Sequence, residues 1–297
     1  MGDIICTFPA VRALQKRHPG AAFIYSCLPD FACLPAIGGI TRRTTSISFG
    51  RTTRWAFLFA KVYHFSYGDE RPGETCTETL IEEFCRQHDV PVTDVHPRLE
   101  ARPAALARAK ALLSELGLAP GPQIFLHLGP SWPVREWPPV SWSQLASELE
   151  SRGFRNLIRV GVDQHVEMGA TSGVEIPKTL SLVNRLSIEE TVALISLGAL
   201  FVGIDSGLLH IAASTRTPAV GLFGATSPQF RFAPSVRRSF VVSDVECQGC
   251  HHRLPRLHWQ TGCPYEIRCM KTLPVGRVVE ACLALLEAQP PQEKSDI

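Results

Sequence analysis

The sequence has no apolar run long enough to span a bilayer, so no transmembrane helix is expected. It has no block of Lys or Arg that would mark a nucleic-acid or anionic-membrane footprint, since 30 basic side chains stand against 28 acidic ones for a formal charge of +2. No nucleic-acid partner is expected, while peripheral contact with a membrane stays open. The opening MGDIICTFPAVRALQKRHPG lacks a basic segment ahead of its apolar stretch, so no secretory signal is expected there and the cytoplasm is the expected compartment. Cys6 sits where a myristoylation signal needs Ser or Thr. No G-x-G-x-x-G follows any strand candidate, which argues against a dinucleotide dehydrogenase. There is no internal repeat and no low-complexity tract.

What is present is an ordinary globular composition, 45% apolar and 20% charged, over 297 residues. That length fits two modest domains. The strongest linker is LAPGPQ at 118–123, and it divides the chain into units of 1–118 and 119–297. In the first, periodicity and breakers predict helices over 8–18, 77–88 and 103–117 and a strand over 22–27. The second unit is more regular. Strands are predicted over 124–128, 157–161, 200–204, 219–223 and 240–243, with helices over 141–152, 187–197, 208–215 and 275–287 between and after them. Short strands alternating with longer helices imply an α/β fold with a parallel sheet covered on both faces. The tail QPPQEKSDI has little to bury and is expected to be disordered. The chain enters its first helix with no strand ahead of Gly2 and Asp3, so either the first strand is absent or the gene start lies upstream.

The most informative stretch is FVGIDSGLLHIAASTRTPAVGLFGATSP, 201–228. It reads as a buried strand, a tight turn at Asp205-Ser206-Gly207, a helix and a second strand. Such a turn lies at the carboxyl end of a parallel strand, where open α/β sheets bind ligands. Gly207 has no side chain to hold a phosphate away from the backbone. The helix beginning near Ser206 offers N–H groups and a partial positive charge to a diphosphate. His210, four residues beyond Ser206, falls on the same helical face. A plain βαβ turn with Ser206 as N-cap and His210 as a core histidine has the same local pattern.

This segment resembles the DSG-x-x-H-x-A-A…P-x-x-x-L-F-G-x-T-x-P signature of glycosyltransferase family 9, the ADP-heptose:lipopolysaccharide heptosyltransferases. GDIICTFPAVRALQKRHPGA at 2–21, HLGPSWPVREWP at 127–138 and RLSIEETVALISLGALFVGIDSG at 185–207 are similar to further family segments in order and spacing. The resemblance is weakest between 28 and 118. It implies a GT-B fold: two Rossmann-like domains with parallel sheets facing a central cleft, the N-terminal one either lacking its first strand or receiving it from an upstream start. The C-terminal domain would hold the nucleotide sugar and the N-terminal domain the acceptor. The resemblance assigns donor contacts to Asp205, Ser206, Gly207, Leu208 and His210, a phosphate contact to Ser131, a ribose contact to Asp163 and an adenine contact to Leu186. Arg135 stands where the family usually has Lys; it keeps the charge but binds phosphate as a fork. Asp3 matches the proposed catalytic base, a carboxylate that would take the proton of the attacking acceptor hydroxyl. No catalytic metal is implied. The implied donor is an ADP-sugar such as ADP-heptose, and the implied acceptor a lipopolysaccharide core, another glycan or a protein. The alternative is a non-catalytic nucleotide-sugar-binding relative.

Ten cysteines are many for a cytosolic chain. Cys6, Cys27, Cys33, Cys76 and Cys85 are expected to be buried free thiols. Cys247, Cys250, Cys263 and Cys269, in a Cys-rich loop over 247–269, have the spacing C-x2-C-x12-C-x5-C, which suits either a structural zinc or iron site or a set of reduced thiols.

Overall fold

A computed structural model describes residues 1–45, 61–66, 76–165, 170–171, 174–252 and 263–288. The tail at 289–297 and the loop at 253–262 lie outside the described residues.

The chain opens with α1 (Gly2–Arg17), which begins six residues before the predicted start and carries Pro9 inside it. A two-stranded parallel sheet follows, made of β1 (Tyr25–Ser26) and β2 (Thr44–Thr45), with α2 (Leu34–Ile37) between them. The predicted strand over 22–27 is thus reduced to two residues. Helix α3 (Leu80–Gln87) starts at a capping box in which the Thr79 hydroxyl accepts from the Glu82 amide and the Glu82 carboxylate accepts from the Thr79 amide. Its Leu80, Ile81, Phe84 and Cys85 pack on Cys6, Ala10, Ala13 and Leu14 of α1. Helix α4 (Pro103–Glu115) has Pro in its first turn and is followed by Gly117 at φ +61°.

The remainder builds a six-stranded, wholly parallel sheet. Its strands are β3 (Gln123–His127), β4 (Asn156–Arg159), β7 (Leu180–Ser181), β8 (Leu200–Ile204), β9 (Ala219–Phe223) and β10 (Arg238–Val242). Between β4 and β7 lies a small antiparallel pair, β5 (Gln164–His165) and β6 (Ala170–Thr171). The helices of this part are α5 (Pro139–Ser151), α6 (Ile188–Ser196), α7 (Gly207–Ser214), α8 (Arg268–Lys271) and α9 (Val275–Glu287). Strands β8 and β9 match their predicted spans to the residue because each is a run of five buried positions bounded by polar or turn residues. Helix α6 is set by a second capping box, Ser187 with Glu190.

The spatial order is β10-β9-β8-β3-β4-β7. Counted from β3, this is the doubly wound order 3-2-1-4-5-6 read from the other edge. Connections diverge at the junction of β3 and β8. Helix α5, after β3, packs on one face with α9; α7, after β8, packs on the other. The core is therefore double. Trp142, Leu145 and Leu149 of α5 and Val278 and Cys282 of α9 cover the first face. The second carries Val192 and Ile195 of α6, Leu209 and Ile211 of α7, Ala105 and Ala109 of α4, and Ile5 and Phe8 of α1. Ala105 and Ala109 lack side chains beyond Cβ, which lets α4 lie close against α6. Between α3 and α4, Leu99 donates its amide to the Ser214 carbonyl and Glu100 donates its amide to the Ile37 carbonyl. Arg102 then pairs with Glu189 at the start of α6.

Candidate functional site

Strand β8 delivers the chain to Asp205 and Ser206, and α7 begins at Gly207. Strand β3 delivers it to the loop 128–136. These two loops leave the carboxyl ends of adjacent strands toward opposite faces, which opens a crevice between them where doubly wound sheets take their ligands. The candidate site sits there because of the strand order.

Asp205 is 3% exposed. Arg135 Nε lies 3.4 Å from its Oδ2, the Arg135 guanidinium also reaches the Asp205 carbonyl at 3.5 Å, and the Thr226 hydroxyl donates to Oδ2 at 2.6 Å. Burial alone would raise the carboxyl pKa. The charges of Arg135 and Arg231, the Thr226 hydrogen bond and the nearby His210 outweigh that and hold it below the ordinary 3.8. The carboxylate thus ties the bend to the β3 loop. Ser206 is extended at φ −153°, so it occupies the N-cap position, but its hydroxyl makes no cap bond. Among the described residues its Oγ is buried with no hydrogen-bond partner. A buried hydroxyl beside first-turn amides that have no intrahelical acceptor is a polar group in need of a partner.

Ser131 is buried, and its amide donates to Glu136 Oε1 at 2.7 Å. A carboxylate of the chain thus rests where the sequence reading puts a phosphate. Gly207 stands against Met1: a Cβ at position 207 would lie 2.7 Å from Met1 Cε. The side chain nearest this stretch of backbone is therefore a flexible thioether. Leu208 reaches toward Gly161, which holds φ +119° and backs onto the His127 ring. Asp163 is half-buried just beyond, its amide donating to Asn184 Oδ1 at 3.1 Å. Leu186 is half-buried at the edge of the second core face.

His210 faces inward. It is 7% exposed, its ring stacks on Phe232 with centroids 4.4 Å apart, and Nδ1 lies 3.7 Å from Cys6 Sγ. Burial drives its pKa down to about 4 despite Asp205 and Asp3, so the imidazole is neutral. Gly2 abuts the same ring; a Cβ there would come within 2.5 Å of His210 Cδ2. The missing side chain lets the start of α1 reach α7, bringing the exposed Asp3 close enough to act electrostatically on His210. The structure therefore gathers Asp3, Arg135, Asp205, Ser206, Gly207 and Leu208 around one crevice, with His210 packed behind it. Glu136, Thr226 and Arg231 are participants that the sequence reading passed over. Thr226 was within reach, standing in the same G-x-T-x-P stretch.

The scattered thiols divide. Cys6 and Cys85 are buried as expected, whereas Cys27, Cys33 and Cys76 are only half-buried. Burial pushes the Cys6 thiol up to about 12. In the later cluster, burial and then the neighbouring Cys247 and Cys263 raise Cys250 to about 11. Burial and then Cys247, Cys250 and Cys263 raise Cys269 to about 12. The four sulfurs share one electrostatic neighbourhood, but among the described residues no three His, Cys, Asp or Glu side chains converge as a bound ion requires.

A doubly wound sheet with the bend at 205–207 at its divergence point places this part of the chain among the Rossmann-like folds. The chain belongs to glycosyltransferase family 9 (heptosyltransferase), whose family model matches residues 32–259. It is 30% identical over 129 residues to lipopolysaccharide heptosyltransferase 1 of Pseudomonas aeruginosa, an alignment covering 43% of this chain and 35% of that enzyme. The chain thus spans about a third of the length of that curated relative. Two solved structures share the fold. One is a family 9 glycosyltransferase from Veillonella parvula, with TM-score 0.69, 16% identity, and coverage of 97% of this chain and 94% of that one. The other is the iron-containing dodecameric glycosyltransferase TibC of enterotoxigenic E. coli, with TM-score 0.70, 19% identity, and coverage of 97% and 74%. The fold is accordingly GT-B, with the six-stranded sheet as its C-terminal Rossmann-like layer. Among the described residues, no helix is long and apolar enough to cross a membrane.

Proposed function

We propose that this protein is a glycosyltransferase that moves a heptose or related sugar from an ADP-activated donor to a lipopolysaccharide-type acceptor in the cytoplasm. The observation that carries this reading is the bend at 205–207. Among the described residues its Ser206 hydroxyl is buried without a partner, and Arg135 is tied to it through Asp205. The curated relative named above, the P. aeruginosa enzyme, is a lipopolysaccharide heptosyltransferase. The unit 119–297 holds the donor and the unit 1–118 the acceptor.

In this reading the diphosphate lies along the start of α7. Arg135 and the first-turn amides meet the negative charge that builds on the leaving diphosphate, with no metal required. Asp163 accepts from the ribose hydroxyls and Leu186 lines the base pocket. Asp3 accepts the proton of the acceptor hydroxyl as that oxygen attacks the anomeric carbon. Such a positioned base contributes about 10²–10⁴-fold to rate. Glu136 gives up the Ser131 amide when the phosphate arrives, a carboxylate exchanged for another anion.

Titration calorimetry with ADP and a panel of nucleotide sugars, on wild type and Arg135→Gln, tests the donor assignment. ADP-sugars should bind more tightly than UDP- or GDP-sugars, and Arg135→Gln should weaken binding about tenfold or more. Undiminished affinity in the variant, or no binding of any ADP-sugar, rejects it. Transfer assayed by mass spectrometry against glycan and protein acceptors identifies the class of acceptor.

By spacing alone Cys247, Cys250, Cys263 and Cys269 suit one structural zinc or iron, which would have to draw together thiols that do not converge among the described residues. Bound there, the ion would cross-link the loop and supply no step of the reaction. Metal analysis of untagged protein should find about one ion per chain. A metal-free, fully folded preparation would leave these residues as free thiols.

A further inference from the structure

His127 is a buried titratable group that the chemistry above leaves unused. It ends β3 and is 5% exposed. Alternation along the strand puts it on the same face as Phe125, the face covered by α6 and α7. Two glycines make room for its ring. His127 pairs in register with Gly203 of β8, where a Cβ would come within 3.3 Å of His127 Cβ. Past the end of β4, a Cβ on Gly161 would lie 2.7 Å from His127 Nδ1 and 3.8 Å from Leu208 Cδ2. The imidazole, the end of β4 and Leu208 at the head of α7 therefore meet at the carboxyl ends of the strands.

The two ring nitrogens differ. Nδ1 lies 3.1 Å from the Val160 carbonyl oxygen, which can only accept, so Nδ1 carries the ring proton. Burial drives the pKa down to about 4 against that hydrogen bond, so the imidazole is neutral and Nε2 holds a bare lone pair. Among the described residues Nε2 has no hydrogen-bond partner, and unlike Ser206 Oγ it is not closed off from solvent. An acceptor in so buried a ring calls for a donor. The oxygens of an ionised diphosphate only accept, so they cannot supply one. A hydroxyl can.

The geometry points to His127 as a specificity residue of the donor site, its Nε2 accepting a hydrogen bond from a ribose hydroxyl of the bound nucleotide. This rests on the donor reading above and adds to it. The Asp163 carboxylate, two residues beyond Gly161, is likewise an acceptor, and a ribose diol carries two O–H donors, one for each. The Nε2 lone pair also repels phosphate oxygens, which keeps the diphosphate at the head of α7 and the ribose over the ends of β3 and β4.

Titration calorimetry of the full chain with ADP, 2′-deoxy-ADP and 3′-deoxy-ADP tests this, since all three share base and diphosphate. Wild type should bind one of the deoxynucleotides about tenfold more weakly than ADP. In His127→Asn the amide nitrogen can replace Nδ1 toward Val160 while nothing replaces Nε2, so ADP and that deoxynucleotide should bind alike. His127→Gln, whose amide oxygen can reach the Nε2 position, should regain part of the difference. The nitrogen NMR resonance of His127 Nε2 in wild type needs no variant: it should move upfield when ADP binds and far less with the discriminated deoxynucleotide. Equal affinity of wild type for all three ligands overturns the role of His127 and leaves the donor bend standing. So does a difference that persists undiminished in His127→Asn, or an Nε2 resonance that ADP does not move. Failure of wild type to bind ADP overturns the donor reading, and this inference with it.

Discussion

Replacing Asp205 by Ala should cost stability as well as ligand. The carboxylate is 3% exposed, accepts a 2.6 Å bond from Thr226 and lies 3.4 Å from Arg135 Nε. Removing one member of a buried ion pair typically costs about 3–5 kcal/mol, because the other charge stays behind unanswered. The Arg135 side chain retains 20% exposure, and water would screen it in part, so the lower end of that range, about 3 kcal/mol, is expected. With an unfolding entropy of about 2.1 cal/mol/K per residue over 297 residues, each kcal/mol moves the midpoint by about 1.6 °C, which gives a fall of roughly 5 °C by calorimetry. Asp205→Asn keeps an acceptor for Thr226 and should lose about half as much. The pH dependence supplies an independent check. The folded pKa of Asp205 lies below its ordinary 3.8. Its stabilising contribution is therefore complete above pH 3.8 and is lost as the pH falls through the depressed folded value. Asp205→Asn should accordingly flatten the most acidic limb of the stability curve. A midpoint in Asp205→Ala within a degree of wild type would refute the claim that this carboxylate ties the two loops together.

Further outcomes follow from the same geometry. Asp3→Asn should lower turnover about 10²–10⁴-fold while leaving the ADP dissociation constant unchanged; full turnover in rapid-quench assays would remove Asp3 from the mechanism. Ser206→Ala should have opposite effects on two measurements. It deletes a buried hydroxyl with no partner, so the free protein should unfold at the same or slightly higher urea concentration, while ADP binds several-fold more weakly. His127 and His210 are both buried and neutral down to about pH 4. The unfolded chain takes up these protons near 6.5, so stability should fall as the pH drops from about 6.5 toward 4, and His210→Asn should reduce that slope in chemical denaturation across this range.

Much of the C-terminal layer was legible in the sequence because its strands are nearly continuous apolar runs closed by turn residues. Strands at 200–204 and 219–223 and the helix at 275–287 were read to the residue. The helix at 139–151 starts two residues ahead of its predicted span, with Pro139 in the first turn, where proline is favoured. The strand at 180–181 and the pair at 164–171 are too short for any period to register. The first helix starts six residues ahead of its predicted span, and Pro9 inside it forgoes one amide bond. The bend at 205–207 was found from one local stretch. Arg135 is legible from its own local stretch, but its pairing with Asp205 and the charge of Arg231 there arise only through the order of strands, which no local pattern encodes. The inward orientation of His210 likewise depends on Gly2 and Cys6, some two hundred positions away.

The short stretch ahead of the fourth helix has a mechanical consequence. Leu99 is fastened by its amide to the later part of the molecule, and the very next residue, Glu100, is fastened to the earlier part. From Arg102 onward the chain is committed to the later part, through Glu189 and through the alanines seated on the sixth helix. Were the cleft to widen, these fastenings would put the pivot near position 100; the helix at 103–115 would move with the sheet, and the LAPGPQ stretch would lie within the later part.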